Sequence, residues 1–206
     1  GGDSRETGFR HIPSGFAELD DALPGGGWPD AALTEVLHTQ NGIGELRLLM
    51  PALARLSRSG RWIVLVAPPH VPYAPALAAQ GVDLSRILLV HPREGRDTLW
   101  AVEQALRSGT CAAVLAWPSP AVTGQQLRRL QLAAEAGQSW GILLRHSTCA
   151  AQTSPAALRL ELLAEHEAAL VRVIKCRGAL VRREIQLNLD RPRTRAMPLP
   201  GNAPVP

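Results

Sequence analysis

Five short apolar runs constrain the fold of this chain more than any other feature: ALTEVL (32–37), WIVLVA (62–67), ILLV (87–90), AAVLAW (112–117) and GILL (141–144). None shows regular polar alternation, so each is predicted to be a strand covered on both faces, the condition of a parallel sheet between helical layers. The segments between them carry helical spacing. Leu46, Leu49, Leu53 and Leu56 mark one helix, Leu99, Val102 and Leu106 a second, and Leu127, Leu130 and Ala134 a third. Pro51 is expected to kink the first. Strand and helix in alternation imply an α/β fold with right-handed crossovers. Ahead of the first strand, PSGFAELDDALPGGGWP (13–29) reads as a short helix capped by Ser14 or Gly15 and stopped by the glycine run.

After residue 155 the pattern changes. ALRLELLAEH, AALVRVIKCRG and ALVRREIQLNLD nearly alternate and are divided by short turns, which predicts an antiparallel strand extension on the sheet edge. The expected organisation is a flexible segment 1–10, a core domain 11–190, and a flexible tail 191–206, whose RPRTRAMPLPGNAPVP is basic and then Pro-rich.

Composition narrows the chemistry. The 206 residues suffice for one domain, and the net charge is +4, with Lys175 the one lysine among 22 basic residues. That charge permits weak nucleic-acid binding without requiring it. Cys111, Cys149 and Cys176 form no Cys-x-x-Cys pair and the six histidines are scattered, so disulfides, metals and cofactors are not expected. His146 and Cys149, three apart, are read as inert rather than as a nucleophile pair. No apolar run approaches the roughly 18 residues of a membrane span, and no signal peptide is evident, which predicts a cytoplasmic protein.

EVLHTQNGIGELRLLM (35–50) has the layout of a phosphate-binding loop: an apolar strand, a glycine-bearing turn with Gly42 and Gly44, then a helix. Glu45 and Leu46 stand where such a loop needs Lys and Ser/Thr. A carboxylate repels a triphosphate, and Leu cannot hold Mg²⁺.

The order of parts over residues 10–189 resembles the ATPase core of the RecA recombinase family. The entry segment IPSGFAELDDALPGGGWPDAALTEV and the basic VIKCRG strand carry that likeness, which implies a RecA-like core: a mostly parallel twisted sheet flanked by helices. Within that group GIGELRLLMPALARLSRSGRWIVLVAPPHVPYAPAL and QALRSGTCAAVLAWP are similar to the ImuA family, and also to the related SulA family. The resemblance implies four losses. Besides Glu45 and Leu46, Pro69 occupies the position of the water-activating Glu, Trp117 that of the Walker B Asp, and Arg145 and His146 follow the strand that should end in a sensing amide. The expectation is therefore a chain that is not an enzyme.

The ImuA likeness implies a non-catalytic adaptor in SOS-induced translesion synthesis and mutagenesis. Its partners would be RecA, ImuB (an inactive Y-family polymerase relative) and, indirectly, the error-prone polymerase α-subunit, with weak or no direct DNA binding and no membrane. The SulA likeness implies the alternative, an SOS cell-division inhibitor that binds the tubulin-like protein FtsZ; SGFAELDDALPGGGWP (14–29), which resembles a RecA core entry that SulA-type chains tend to lack, favours ImuA. Lys175 and Arg177, alternating about Cys176 and matching a RecA basic pair that reaches a neighbouring protomer's phosphates, are expected at a partner interface with Arg172 and Trp28. Trp28 is the tryptophan expected to be partly exposed, with the other four in the core. The DNA-contacting loops reduce to PSPAVTG (118–124) and RHSTCAAQTSP (145–155), leaving Arg145, His146 and the tail residues Arg193 and Arg195 as candidate weak phosphate contacts.

Overall fold

Each apolar run forms a strand close to its predicted bounds. The computed structural model describes residues 11–192 except 43, 94, 165–167 and 180–182, together with the side chains at 95 and 96. The 1–10 segment and the tail with Arg193 and Arg195 lie outside the described residues. Two short strands, β1 (His11–Ile12) and β2 (Trp28–Pro29), pair antiparallel beside the main sheet. That sheet holds β3 (Leu33–His38), β4 (Trp62–Val66), β5 (Ile87–Val90), β6 (Cys111–Ala116), β7 (Trp140–His146), β8 (Leu158–Ala164), β9 (Ala169–Cys176) and β10 (Glu184–Leu187). The strand order is β10-β9-β8-β3-β7-β6-β4-β5. β8 joins β3 in parallel, and β9 and β10 follow as the antiparallel extension the alternating segments predict.

Helices cover both faces. α1 (Ala17–Ala22) and α2 (Glu45–Ser57) pack on one, against Val36, Ile63, Leu115, Ile142, Leu160 and Val171. α4 (Gly95–Arg107) and α5 (Gly124–Gly137) pack on the other, against Leu33, Val64, Val114 and Leu143. Each fully buried Leu or Val contributes about 1.5–3 kcal/mol, so these two layers hold the sheet. The mixed α/β architecture, with a mostly parallel sheet between helices, is the one the apolar runs predict.

Several local expectations are corrected. Phe16, not Ser14 or Gly15, is the N-cap of α1; the Ser14 hydroxyl instead accepts from the Phe16 amide at 3.0 Å and donates to its carbonyl. The helix marked by Leu46, Leu49, Leu53 and Leu56 is α2, which holds Pro51 in its interior with the ring against Gly15. β5 is an edge strand, so Leu88 and Leu89 are exposed rather than covered on both faces. α3 (Ala74–Ala79), in the proline-rich connection after β4, buries no side chain. Trp28 is fully buried and stacks on Trp140 with ring centroids 5.5 Å apart, because β2 turns it inward over the α1 layer. Trp100 is the reverse case: it lies on the outer side of α4 and is 64% exposed, and Trp62, at the start of β4, is exposed in part under Arg86.

Candidate functional site

The turn between β3 and α2 keeps the backbone geometry of an anion site. Gly42 (φ +86°) and Gly44 (φ +116°) adopt left-handed conformations that favour glycine. Their amides donate to one carboxylate, Gly42 to Glu45 Oε1 at 2.8 Å and Gly44 to Glu45 Oε2 at 3.2 Å. Glu45 is the first residue of α2 and is 6% exposed, so its charge also lies at the positive end of a 13-residue helix. The chain's own carboxylate thus takes both amide donors of the turn. Leu189 closes over the turn: its Cδ1 lies 2.6 Å from where a Cβ on Gly44 would stand, and Asp190 pairs with Arg47 at 3.0 Å. Leu46 turns away and packs on the core.

His38, at the end of β3, is buried next to this turn. Its Nδ1 lies 3.1 Å from the Gln40 carbonyl, and its Nε2 has no partner. Burial pushes its pKa below the ordinary histidine value; Glu45 and the Gln40 carbonyl pull it up, and His146 adds a small downward push.

On the opposite face of β3, Glu35 is shared by two guanidinium groups. Arg159 lies opposite it on β8 and donates from Nε to Oε2 at 2.6 Å; Arg145 on β7 donates from Nη1 to Oε1 at 3.0 Å. All three are buried. Further donors hold the connection after β7: Arg159 reaches the carbonyls of Cys149 and Gln152, and Arg145 the side chain of Gln152. Ser154 donates to Glu35, and Lys175 Nζ donates to the Ser154 carbonyl at 2.6 Å. This network corrects the reading of Arg145 as a DNA contact: its side chain is inaccessible, because it anchors the 147–155 connection. His146 stays exposed and accepts from the Thr148 amide, while Cys149 is buried.

The expected interface residues do not form one free surface. Lys175 is half-buried and its pKa is lowered, first by burial and then by repulsion from Arg177 and Arg159, against the pull of Glu35. Arg177 lies just past β9, 3.5 Å from Glu135 and from the Pro155 carbonyl. Arg172 bridges Glu161 and Glu184, both at 2.9 Å, on the solvated face of the extension. Trp28 is unavailable to a partner because it is core.

Pro69 is exposed beyond β4. Trp117, directly after β6, lines a groove of ≈ 570 Å³ between α4 and α5, and its indole N–H is buried with no acceptor. Glu103 flanks the groove, nearly buried and paired with both Arg107 and Arg129. Sequence reasoning passed over this groove. The signal available was a charged residue four positions after Leu99, on the apolar side of α4.

Among the described residues no cluster of three or more His, Cys, Asp or Glu is placed to hold a metal, and no helix is long and apolar enough to cross a membrane.

Known proteins similar to the chain agree on one family. The model of a family described as cell division inhibitor SulA matches residues 31–141, more than half of the chain. The SulA proteins of Edwardsiella piscicida and Photorhabdus laumondii are 37% and 32% identical to it, over 48% and 58% of this chain. The aligned parts span 58% and 67% of those relatives. A crystal structure of SulA from Pseudomonas aeruginosa is 30% identical, covers 55% of this chain and 98% of its own, and superposes with a TM-score of 0.47. The family match and the two sequence relatives overturn the reading as an ImuA adaptor in translesion synthesis, and with it RecA, ImuB and the polymerase α-subunit as partners. The segments similar to ImuA, 42–77 and 104–118, are similar to SulA as well and lie inside the matched 31–141, whereas the entry segment 14–29 that favours ImuA lies outside it.

Proposed function

Because the chain belongs to the SulA family of cell division inhibitors, we propose that it arrests division during the SOS response by binding FtsZ and preventing its polymerisation. The family match over residues 31–141 carries this reading. Its relatives are named as inhibitors, not catalysts, and an inhibitor of this kind acts through binding alone. The test is direct. FtsZ polymerisation with GTP, followed by light scattering and sedimentation, should fall as the chain approaches equimolar amounts. Undiminished polymer at a several-fold excess of the chain would overturn the proposal.

The same reading places the chain in the cytoplasm, where FtsZ polymerises. It also takes the sheet as a RecA-like core, folded over residues 11–190, that has lost nucleotide chemistry. The turn–helix junction after β3 supports that view, since its anion geometry persists around a carboxylate. Calorimetric titration with ATP and Mg²⁺ is expected to give no micromolar binding. Stoichiometric binding at that turn would refute the loss.

A further inference from the structure

The groove between α4 and α5 opens at the carboxyl ends of the parallel strands, where open α/β sheets leave a crevice at which ligands bind. Its wall is apolar, built from Leu99, Val122 and Leu130. Trp117 also borders the groove while packing against the core cluster under α1 and α2.

The rim specifies the guest further. Trp100 lines the groove with most of its surface in solvent. Arg107 and Arg129 share a single carboxylate, Glu103, and their side chains are 57% and 62% exposed, so one positive charge beside the groove is unmatched. Asp97, on the first turn of α4, and Arg128, on α5, are both exposed, leaving a net positive balance. An exposed Trp and Arg around an apolar hollow form the composition of a protein-binding hot spot.

We propose that this groove receives a segment of the division protein in which an apolar side chain stands beside a carboxylate. The side chain would fill the hollow against Trp100, and the carboxylate would meet Arg129. The identity of the partner rests on the division-inhibitor reading; the chemistry of the groove does not.

The groove is tested alone with 8-anilinonaphthalene-1-sulfonate, an aromatic body carrying one anionic group. It is titrated against wild type, Trp100→Ala, Arg129→Ala and Ala121→Trp, the last filling the groove from its exposed rim; thermal melts establish that the variants fold. One-site binding weakened about ten-fold or more in the variants is expected. No binding, or equal binding by all four proteins, overturns the groove as a site for an apolar anion. FtsZ is then titrated against the same proteins, and a similar loss is expected. FtsZ binding that no substitution weakens places the docking surface elsewhere and overturns the proposal. Failure of the wild type itself to bind FtsZ defeats the division-inhibitor reading and the partner named here, while the dye titration still decides the groove.

Discussion

Glu35 is the residue on which most other contacts in the β3–β7–β8 region depend. One carboxylate faces two buried guanidinium groups, and Arg159 also donates to backbone carbonyls of the 147–155 connection. Removing it strands two buried cations, for which the cost is about 3–5 kcal/mol. Glu35→Gln is therefore expected to lower the urea midpoint by an amount equivalent to that loss, and an unchanged midpoint would mean the pair adds nothing to stability. His38 sets a pH dependence. Its folded pKa is lowered, chiefly by burial, so below the unfolded value near 6.5 the unfolded chain binds the extra proton more readily. Stability should be fully present above that pH and fall as pH drops from there through the folded value. His38→Gln should flatten this part of the urea-midpoint profile, and an identical slope in the variant would assign it to other groups.

The packing of α4 against α5 depends on close backbone approach at one point. A Cβ on Gly137 would stand 1.8 Å from the Leu106 carbonyl oxygen, a backbone atom that no side-chain rotation can move. Gly137→Ala should thus destabilise the fold by about 1–3 kcal/mol despite alanine's better helix propensity. A rise in thermal midpoint would show that the two helices can separate freely. The other end of α5 is held by a capping box: Gln126 N–H donates to the Thr123 hydroxyl, and the Gln126 side chain accepts from the Thr123 amide. Thr123→Ala should cost about 1 kcal/mol, read as chemical denaturation. Because Val122 and Gln126 line the groove, that variant also tests whether a frayed α5 terminus weakens its ligand.

Across the whole molecule, the strand extension completes the core rather than decorating its edge. Val171, Val173, Ile185 and Leu187 continue the apolar face that α1 covers with Phe16, Leu19 and Leu23, while Glu161, Arg172 and Glu184 face solvent behind it. Leu187, the last residue of β10, is buried to 1%. Leu187→Ala should therefore cost about 2–5 kcal/mol, as at a central position. A loss of only a few tenths would mark β10 as a peripheral strand that opens on its own.

The apolar runs, helix spacings and alternating C-terminal segments determined element type, the parallel sheet and its antiparallel extension, because burial on one or two faces leaves a periodicity that local sequence carries. The reading of Glu45, Pro69 and Trp117 as lost nucleotide chemistry came from the RecA resemblance and belongs to the proposal above. Tertiary structure alone decided where those residues went. Glu45 was legible as a carboxylate in the wrong place, but that it satisfies Gly42 and Gly44 depends on backbone torsions and on the start of α2. Arg145 and Trp28 seemed free for ligands because neither Glu35, 110 residues before Arg145, nor Trp140 on β7 is a local neighbour. The α4–α5 groove joins the start of one helix, the end of β6 and the first turns of another. Such a surface has no period along the chain, since it exists only once the sheet has brought those pieces together.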